Sequence, residues 1–332
     1  MAKSENQKKK LLYILKMFYE RTDEQHTITV KDIINELESH GITADRRSIY
    51  DDIQTLEEFG IEIIRCRSKG CGYFLADRLF EDAELKILVD VIQSSRFITK
   101  RKSAELIKKI EKLTSKPQAN TLHRELYISD RVKSINECIY YNVDTIHNAI
   151  SQNSKIAFKY FEYNLKRECV FRKDGRYYIT NPLALTFDSE NYYLIVYDDK
   201  YCDNTHYRVD KMADIRILDE KRVLPKQNFN VASYVNKIFG MYTGEEAEVT
   251  ALFYKNFLNV IIDRFGDNVT LMEYDEDEDW FVARFKVNVS PVFLSWMIGF
   301  GDNAKILSPD WVAESMLEMI YETLSMYEDY DE

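Results

Sequence analysis

Residues 45–75 read DRRSIYDDIQTLEEFGIEIIRCRSKGCGYFL, and two patterns in that stretch decide the fold of the front of the chain. From Asp45 to Gly60 the apolar residues Ile49, Ile53 and Leu56 form one stripe at helical spacing, which Gly60 ends. Beyond Gly60 the period drops to two, and the residues describe two strands around a glycine-containing turn. Upstream, Leu11, Leu12, Ile14, Leu15 and Phe18 predict a helix behind Lys8, Lys9 and Lys10, and Thr29 followed by VKDIINELESHG predicts another, capped at Thr29 and closed by Gly41. Three short helices and a β-hairpin within about 75 residues is the order of a winged helix-turn-helix.

With Ile49, Ile53 and Leu56 buried, a rotation of about 100° per residue turns Arg47, Asp51 and Gln54 outward and leaves Ser48, Tyr50 and Thr55 on the flanks. Arginine, glutamine, serine and tyrosine on such a helix can reach base edges or phosphates in a major groove. In the hairpin Arg65, Arg67 and Lys69 alternate, so they share one face leading to the turn at Gly70. The expected DNA-contacting set is therefore Arg46, Arg47, Ser48, Tyr50 and Gln54 from the helix, with Arg65, Arg67 and Lys69 from the wing. Asp51 and Asp52 move the expected phosphate contact to the helix's N-terminal turn. A small three-helix interaction module with ordinary surface charges is the plainer alternative.

From Phe80 to about Ile139 the chain reads as helical. Leu85, Ile87, Leu88, Val91 and Ile92 recur in helical steps, and Ile107, Ile110 and Leu113 follow a basic stretch. Such a linker joins the DNA-binding unit to whatever lies behind it and is also a candidate dimer contact. Strands take over near Lys155. KIAFKYFEY alternates, CVFRKDGRYYIT predicts a hairpin turning at Asp174-Gly175, and LALTF, YYLIVYD, HYRVD and DIRIL follow, which suggests a small antiparallel barrel. The final segment gives EVTALFY as a strand, NFLNVIIDRFG as a helix, VTLMEYD and WFVARFKVNV as a strand pair, and PVFLSWMIGFG as a helix. AKILS is a further strand, before a helix expected to be capped by Ser308 with Pro309 in its first turn. That βαββαβ order predicts a ferredoxin-like unit.

The formal net charge of -11 argues against a nucleic-acid partner only if it is evenly spread. From Asp219 onward there are 9 basic and 22 acidic residues, against 36 and 34 before it, so the acidity belongs to the C-terminal third. Arg96 to Lys116 holds eight basic residues with only Glu105 and Glu111 as acids; this could face phosphate, although a solvated helix face is the commoner explanation for such a charge run. Five cysteines, an odd number and widely spaced, behind a start without an apolar signal core, predict reduced thiols in the cytoplasm. Cys66 and Cys71 have no second pair at zinc-finger spacing, and no apolar run approaches the roughly 20 residues of a membrane span.

Taken in order, these units resemble the WYL-domain transcriptional regulators. The name tripeptide appears as Tyr192-Tyr193-Leu194 in ENYYLIVYD, departing at its first position. HYRVDKM places Tyr207, Arg208, Val209, Asp210, Lys211 and Met212 on the family's later run, with Lys211 where the family has arginine. The ending FGDNAKILSPDWV resembles the family's C-terminal WYL extension (WCX) unit. The resemblance implies an α+β, multidomain chain. Its expected parts are a winged helix-turn-helix (1–78), a helical linker (79–139), an Sm/SH3-like WYL barrel (140–228) and a ferredoxin-like extension (245–332). It implies a homodimer that binds a double-stranded DNA operator, and an effector, nucleic acid or a nucleotide, held by the barrel. Carried over by motif position, Tyr193 and Arg208 are the principal ligand residues and Lys211 a weaker match. Tyr160 could stack or hydrogen-bond there, and His206 is a possible pH-sensitive neighbour. Against this, Tyr193 could equally be core, and Arg208 could simply pair with Asp210.

No HExxH, GxSxG or GxxxxGK[ST] pattern occurs, so neither an enzyme nor a cofactor is expected. The acid run Asp275 to Asp279 lacks calcium-loop spacing and reads as a solvated turn. Two alternatives stay open. One is an accessory protein, for example in a defence system, that binds single-stranded nucleic acid through the barrel. The other, disfavoured by the missing motifs, is an enzyme acting on nucleotides.

Overall fold

The computed structural model describes residues 7–66, 72–122, 133–134, 136–225 and 230–328. The chain divides into two compact units, Met1–Glu137 and Cys138–Glu332.

The first unit opens with helices α1 (Gln7–Arg21), α2 (Val30–Ser39) and α3 (Arg46–Glu58), followed by the short antiparallel strands β1 (Ile63–Arg65) and β2 (Tyr73–Leu75). The caps explain where the helices start. Thr29 and Asp32 exchange bonds in a capping box, and the Asp45 carboxylate accepts the Ser48 N–H at 2.8 Å. Ile49, Ile53 and Leu56 are buried with Ile14, Phe18, Ile33, Leu37, Ile63 and Leu75, each such side chain contributing about 1.5–3 kcal/mol. Tyr73 also bridges Ile28, so the hairpin gains a third strand position. That approach requires Gly72, where a Cβ would stand 1.9 Å from the Ile28 carbonyl oxygen. This is a winged helix.

Behind it, the stretch read as helical holds α4 (Asp82–Ser94), α5 (Lys100–Ile110) and α6 (Lys116–Leu122); Thr99 caps α5, and residues 123–132 and 135 fall outside the description. Leu85 and Val89 face inward with Ile107 and Leu122, while Ile87 and Val91 of the expected stripe are exposed. Two polar ties fasten this linker to the helices in front. The Ser115 hydroxyl donates to Asp23 at 2.5 Å, and Arg78 donates to the carbonyls of Tyr19 and Thr22 at the end of α1.

The second unit begins with α7 (Ile139–Ser151) and a curled antiparallel sheet. Its strands are β3 (Ser154–Tyr163), β4 (Cys169–Phe171), β5 (Tyr178–Asp188), β6 (Asn191–Asp198), β7 (Asp203–Arg208) and β8 (Met212–Lys221). The order β8-β3-β5-β6-β7 curls into a half-barrel, and the buried Asn142 of α7 donates to the carbonyls of Val209 and Met212. The expected Asp174-Gly175 hairpin is not formed: β4 and β5 both pair with β3, through Phe161↔Phe171 and Phe158↔Tyr178. Between them residues 172–177 make an excursion in which Lys173, Asp174 and Gly175 all have positive φ.

After α8 (Val231–Asn236) come β9 (Glu245–Tyr254), α9 (Leu258–Phe265), β10 (Val269–Glu273), β11 (Trp280–Val289), α10 (Pro291–Ile298), β12 (Ala304–Ser308) and α11 (Asp310–Glu328). The sheet order β10-β11-β9-β12, all antiparallel, is ferredoxin-like, with a core rich in stacked rings such as Phe265 on Phe285. Ser308 ends β12, and the Pro309 carbonyl takes the first helical bonds from Val312 and Ala313, so the cap sits one residue later than expected. The fold is thus mixed α+β and multidomain.

Candidate nucleic-acid interface and effector site

Anchoring the inner stripe of α3 fixes what the helix shows to solvent. Arg46, Arg47 and Gln54 are exposed and Tyr50 is 41% exposed. The Ser48 hydroxyl donates back to the Asp45 carbonyl, and Gln54 donates to Glu58 at 2.9 Å, so both must release a local bond before meeting DNA. The two acids that argued against phosphate contact divide. Asp51 is exposed, while Asp52 turns inward to Lys10 at 2.7 Å, with Lys10 itself buried. The role of Lys10 was not readable from its place in a run of three lysines.

Beside the helix, Arg65 is exposed and lies 5.9 Å above the Tyr73 ring. Burial pushes the Tyr73 phenol up, with Arg65 opposing and Tyr50 and Glu57 adding to the shift. Arg67 and Lys69 lie outside the described residues.

In the half-barrel the residues singled out from sequence divide between two faces. Tyr193 and Arg208 stand directly opposite one another on β6 and β7. The Arg208 guanidinium is held along one edge by Asp210, Nε to Oδ1 at 3.0 Å and Nη2 to Oδ2 at 2.9 Å, and Nη2 also donates to Asn191 at 2.8 Å. The Asp210 hydrogen bond raises the Arg208 pKa, and burial pushes up Tyr193, with Arg208 opposing. The pairing with Asp210 is the plain alternative that the sequence offered, whereas Asn191 was not among the expected site residues.

His206 shares the Arg208 face two residues earlier. Its Nδ1 is 2.9 Å from the Met241 carbonyl and its Nε2 is 3.1 Å from the Tyr234 hydroxyl. Burial depresses its pKa, so the neutral ring donates from Nδ1 and accepts at Nε2. The imidazole is thereby tied to the segment leading to β9. Lys211 follows in the turn Val209–Lys211, where its ammonium adds to the effect of Arg172 in holding Glu162 below the usual carboxylate range.

Tyr160 belongs to the other face. Its ring is buried among Phe158, Tyr178 and Tyr207, its hydroxyl accepts the Arg208 N–H at 3.3 Å, and burial pushes its pKa up. Burial pushes Tyr207 up to about 12. The excursion after β4 adds cations over these rings, Arg172 at 5.6 Å from Tyr160 and Lys173 at 4.0 Å from Tyr178. No group of three or more histidine, cysteine or acidic side chains comes together as a metal site among the described residues.

Comparison with known proteins gives this architecture its class. The WYL domain model matches residues 141–217, the WCX domain model matches residues 245–324, and the model for the D3 domain of FokI matches residues 12–67. The chain thus carries a WYL domain followed by a WCX domain, with a winged helix in front. Among solved structures it is similar to the proteasome accessory factor B/C (PafBC) of Arthrobacter aurescens, at 15% identity and a TM-score of 0.27 over 93% of this chain and 45% of that one. It is also similar to a CRISPR Cas-related protein, at 15% identity and a TM-score of 0.35 over 68% of this chain and 62% of that one. The chain therefore spans less than two thirds of the length of either. No curated protein matches it. No helix among the described residues is long and apolar enough to cross a membrane.

Proposed function

We propose that this chain is a DNA-binding transcriptional regulator whose winged helix grips a double-stranded operator and whose WYL half-barrel responds to a nucleic-acid or nucleotide effector. The observation that carries the reading is the exposed first turn of α3: Arg46 and Arg47 project at the positive end of a helix whose opposite stripe is locked in a core, with Arg65 on the adjacent hairpin. The withdrawal of Asp52 onto Lys10 removes one of the two acids on that surface.

The regulator acts as a cytoplasmic homodimer on two half-sites, without enzymatic activity, and effector binding near Tyr193 and Arg208 alters how the two winged helices are spaced. Within the effector site Arg208 is the anion-recognising group. Since Asp210 occupies the Nε/Nη2 edge of its guanidinium, a phosphate must displace that carboxylate or approach from the Nη1 side. Genomic footprinting of the bound protein, followed by titration of the recovered duplex against the parent and Arg47→Ala, tests the assignment. A footprint confined to promoter-proximal duplexes and lost in the variant supports it. Retention of duplex binding by the variant at every salt concentration refutes it.

A further inference from the structure

The ferredoxin-like unit holds a cavity of about 700 Å³ beside the β10–β11 hairpin, within the roughly 300–1,000 Å³ of small-molecule sites. No residue of the winged helix or the half-barrel lines it. Strand register accounts for its apolar floor. Leu271 and Glu273 of β10 stand opposite Ala283 and Phe281 of β11, on the face whose β11 side chains are buried. α9 covers that face at Phe285, where Phe265 stacks with ring centres 4.2 Å apart. Leu271, two residues along the edge strand from Val269, the partner of Phe285, is left 39% exposed. Leu258 at the start of α9 adds a second apolar wall, and Trp280 with Phe281 makes the aromatic part. Tyr254 packs edge-on against the indole, at 5.5 Å and 78° between the rings, which sets its tilt.

The charge of this cavity is one-sided. Glu273, Asp275 and Glu278 line it, and Lys255 is the one basic side chain among the described residues of its wall. The turn between the strands uses other acids for its own construction: Asp277 accepts the Asp279 N–H at 2.9 Å, and Glu276 accepts the Tyr274 hydroxyl at 2.7 Å. The three lining carboxylates make no salt bridge among the described residues. The acidic run that reads from sequence as a solvated turn is therefore divided, part of it building the turn and part charging a cavity walled by rings.

We propose that this cavity binds a small organic cation, an ammonium or quaternary nitrogen carried on an apolar body. Carboxylates on one side and an indole on the other both attract a cation, and tryptophan is the strongest of the aromatic partners. The apolar body covers Leu258 and Leu271 and is driven there by the area it removes from water. An anion is repelled by the same carboxylates, and a neutral ligand strips water from them without replacing it. A bare metal ion is disfavoured as occupant, because no group of three or more acidic, histidine or cysteine side chains comes together to hold one among the described residues. The site gives the C-terminal unit a ligand of its own. It uses none of the residues of the operator or effector readings and stands apart from both.

The test is isothermal titration calorimetry of the full chain with three probes: benzyltrimethylammonium, tetramethylammonium, which has the same head group without the ring, and benzenesulfonate, which has the ring with the opposite charge. Benzyltrimethylammonium is expected to bind saturably, tetramethylammonium several-fold more weakly, and benzenesulfonate not at all. Trp280→Leu, which keeps the apolar volume and removes the indole, should weaken binding about fivefold. Glu273→Gln should weaken it about threefold, an effect that shrinks as salt is raised. Leu271→Lys, at a position already open to solvent, seats an ammonium of the protein among the carboxylates and should abolish binding. Thermal melts identify any variant that fails to fold, and the two changes at solvent-exposed positions, Glu273→Gln and Leu271→Lys, keep the test decisive if Trp280→Leu does. Absence of saturable benzyltrimethylammonium binding in the millimolar range overturns the proposal. So does unchanged binding in Leu271→Lys, or benzenesulfonate binding as tightly as the cation.

Discussion

Lys10 reaches from the first helix to Asp52 on the third, its ammonium 2.7 Å from the carboxylate, in a setting where both side chains are largely withdrawn from water. The contact fastens α1 to α3 and takes a negative charge off the surface that faces DNA in the proposed complex. Lys10→Met leaves a mostly buried carboxylate without its cation and is expected to destabilise the first unit by about 3 kcal/mol. The double variant Lys10→Met/Asp52→Leu, which removes both charges, should recover most of that loss. Urea unfolding of the four proteins of this cycle measures the coupling directly.

Asp210 competes with any anion for Arg208, since it already binds the Nε/Nη2 edge of the guanidinium. Asp210→Asn weakens that pairing while keeping the shape, so the proposed effector site should bind nucleoside phosphates several-fold more tightly. Isothermal titration with a nucleoside monophosphate reads the change. An Arg208→Ala companion that binds no worse than the parent would show that the guanidinium is purely structural.

His206 makes the second unit sensitive to acid. Its folded pKa lies below the ordinary imidazole value of 6.5 because the ring is buried, so the unfolded chain takes up a proton first as pH falls. The stability it contributes is complete above the unfolded value and is lost as pH drops through the window beneath it. Thermal melts of the second unit's transition between about pH 7.5 and 5.5 should show a falling midpoint, and His206→Gln should flatten that slope over the same range.

Much of this was legible in the residues. The stripe Ile49, Ile53, Leu56 and the caps at Thr29 and Asp45 act within one or two turns, so sequence spacing reports them directly, and the βαββαβ alternation of the last segment leaves few ways to build a sheet. What failed depended on partners distant in sequence. Alternation identifies β4 and β5 as strands but says nothing of pairing, and both chose β3 over each other. Helical recurrence around Leu85 to Ile92 did not reveal which stripe would meet Ile107. Nor does spacing show how Tyr160, expected to stack or hydrogen-bond, is placed: its ring packs among Phe158, Tyr178 and Tyr207 and its hydroxyl accepts the Arg208 N–H. Lys10 looked like one of three equivalent surface charges, because only the folded helix pair distinguishes it.

In the proposed complex the front of an acidic chain binds duplex through a small cationic edge. The most direct measurement is the slope of log affinity against log salt for an operator duplex, taken for the parent, Arg47→Ala and Arg65→Ala. Arg47→Ala is expected to lose about 1–3 kcal/mol, with a slope shallower by about one for each lost phosphate contact. Unchanged affinity and unchanged slope in both variants would contradict it.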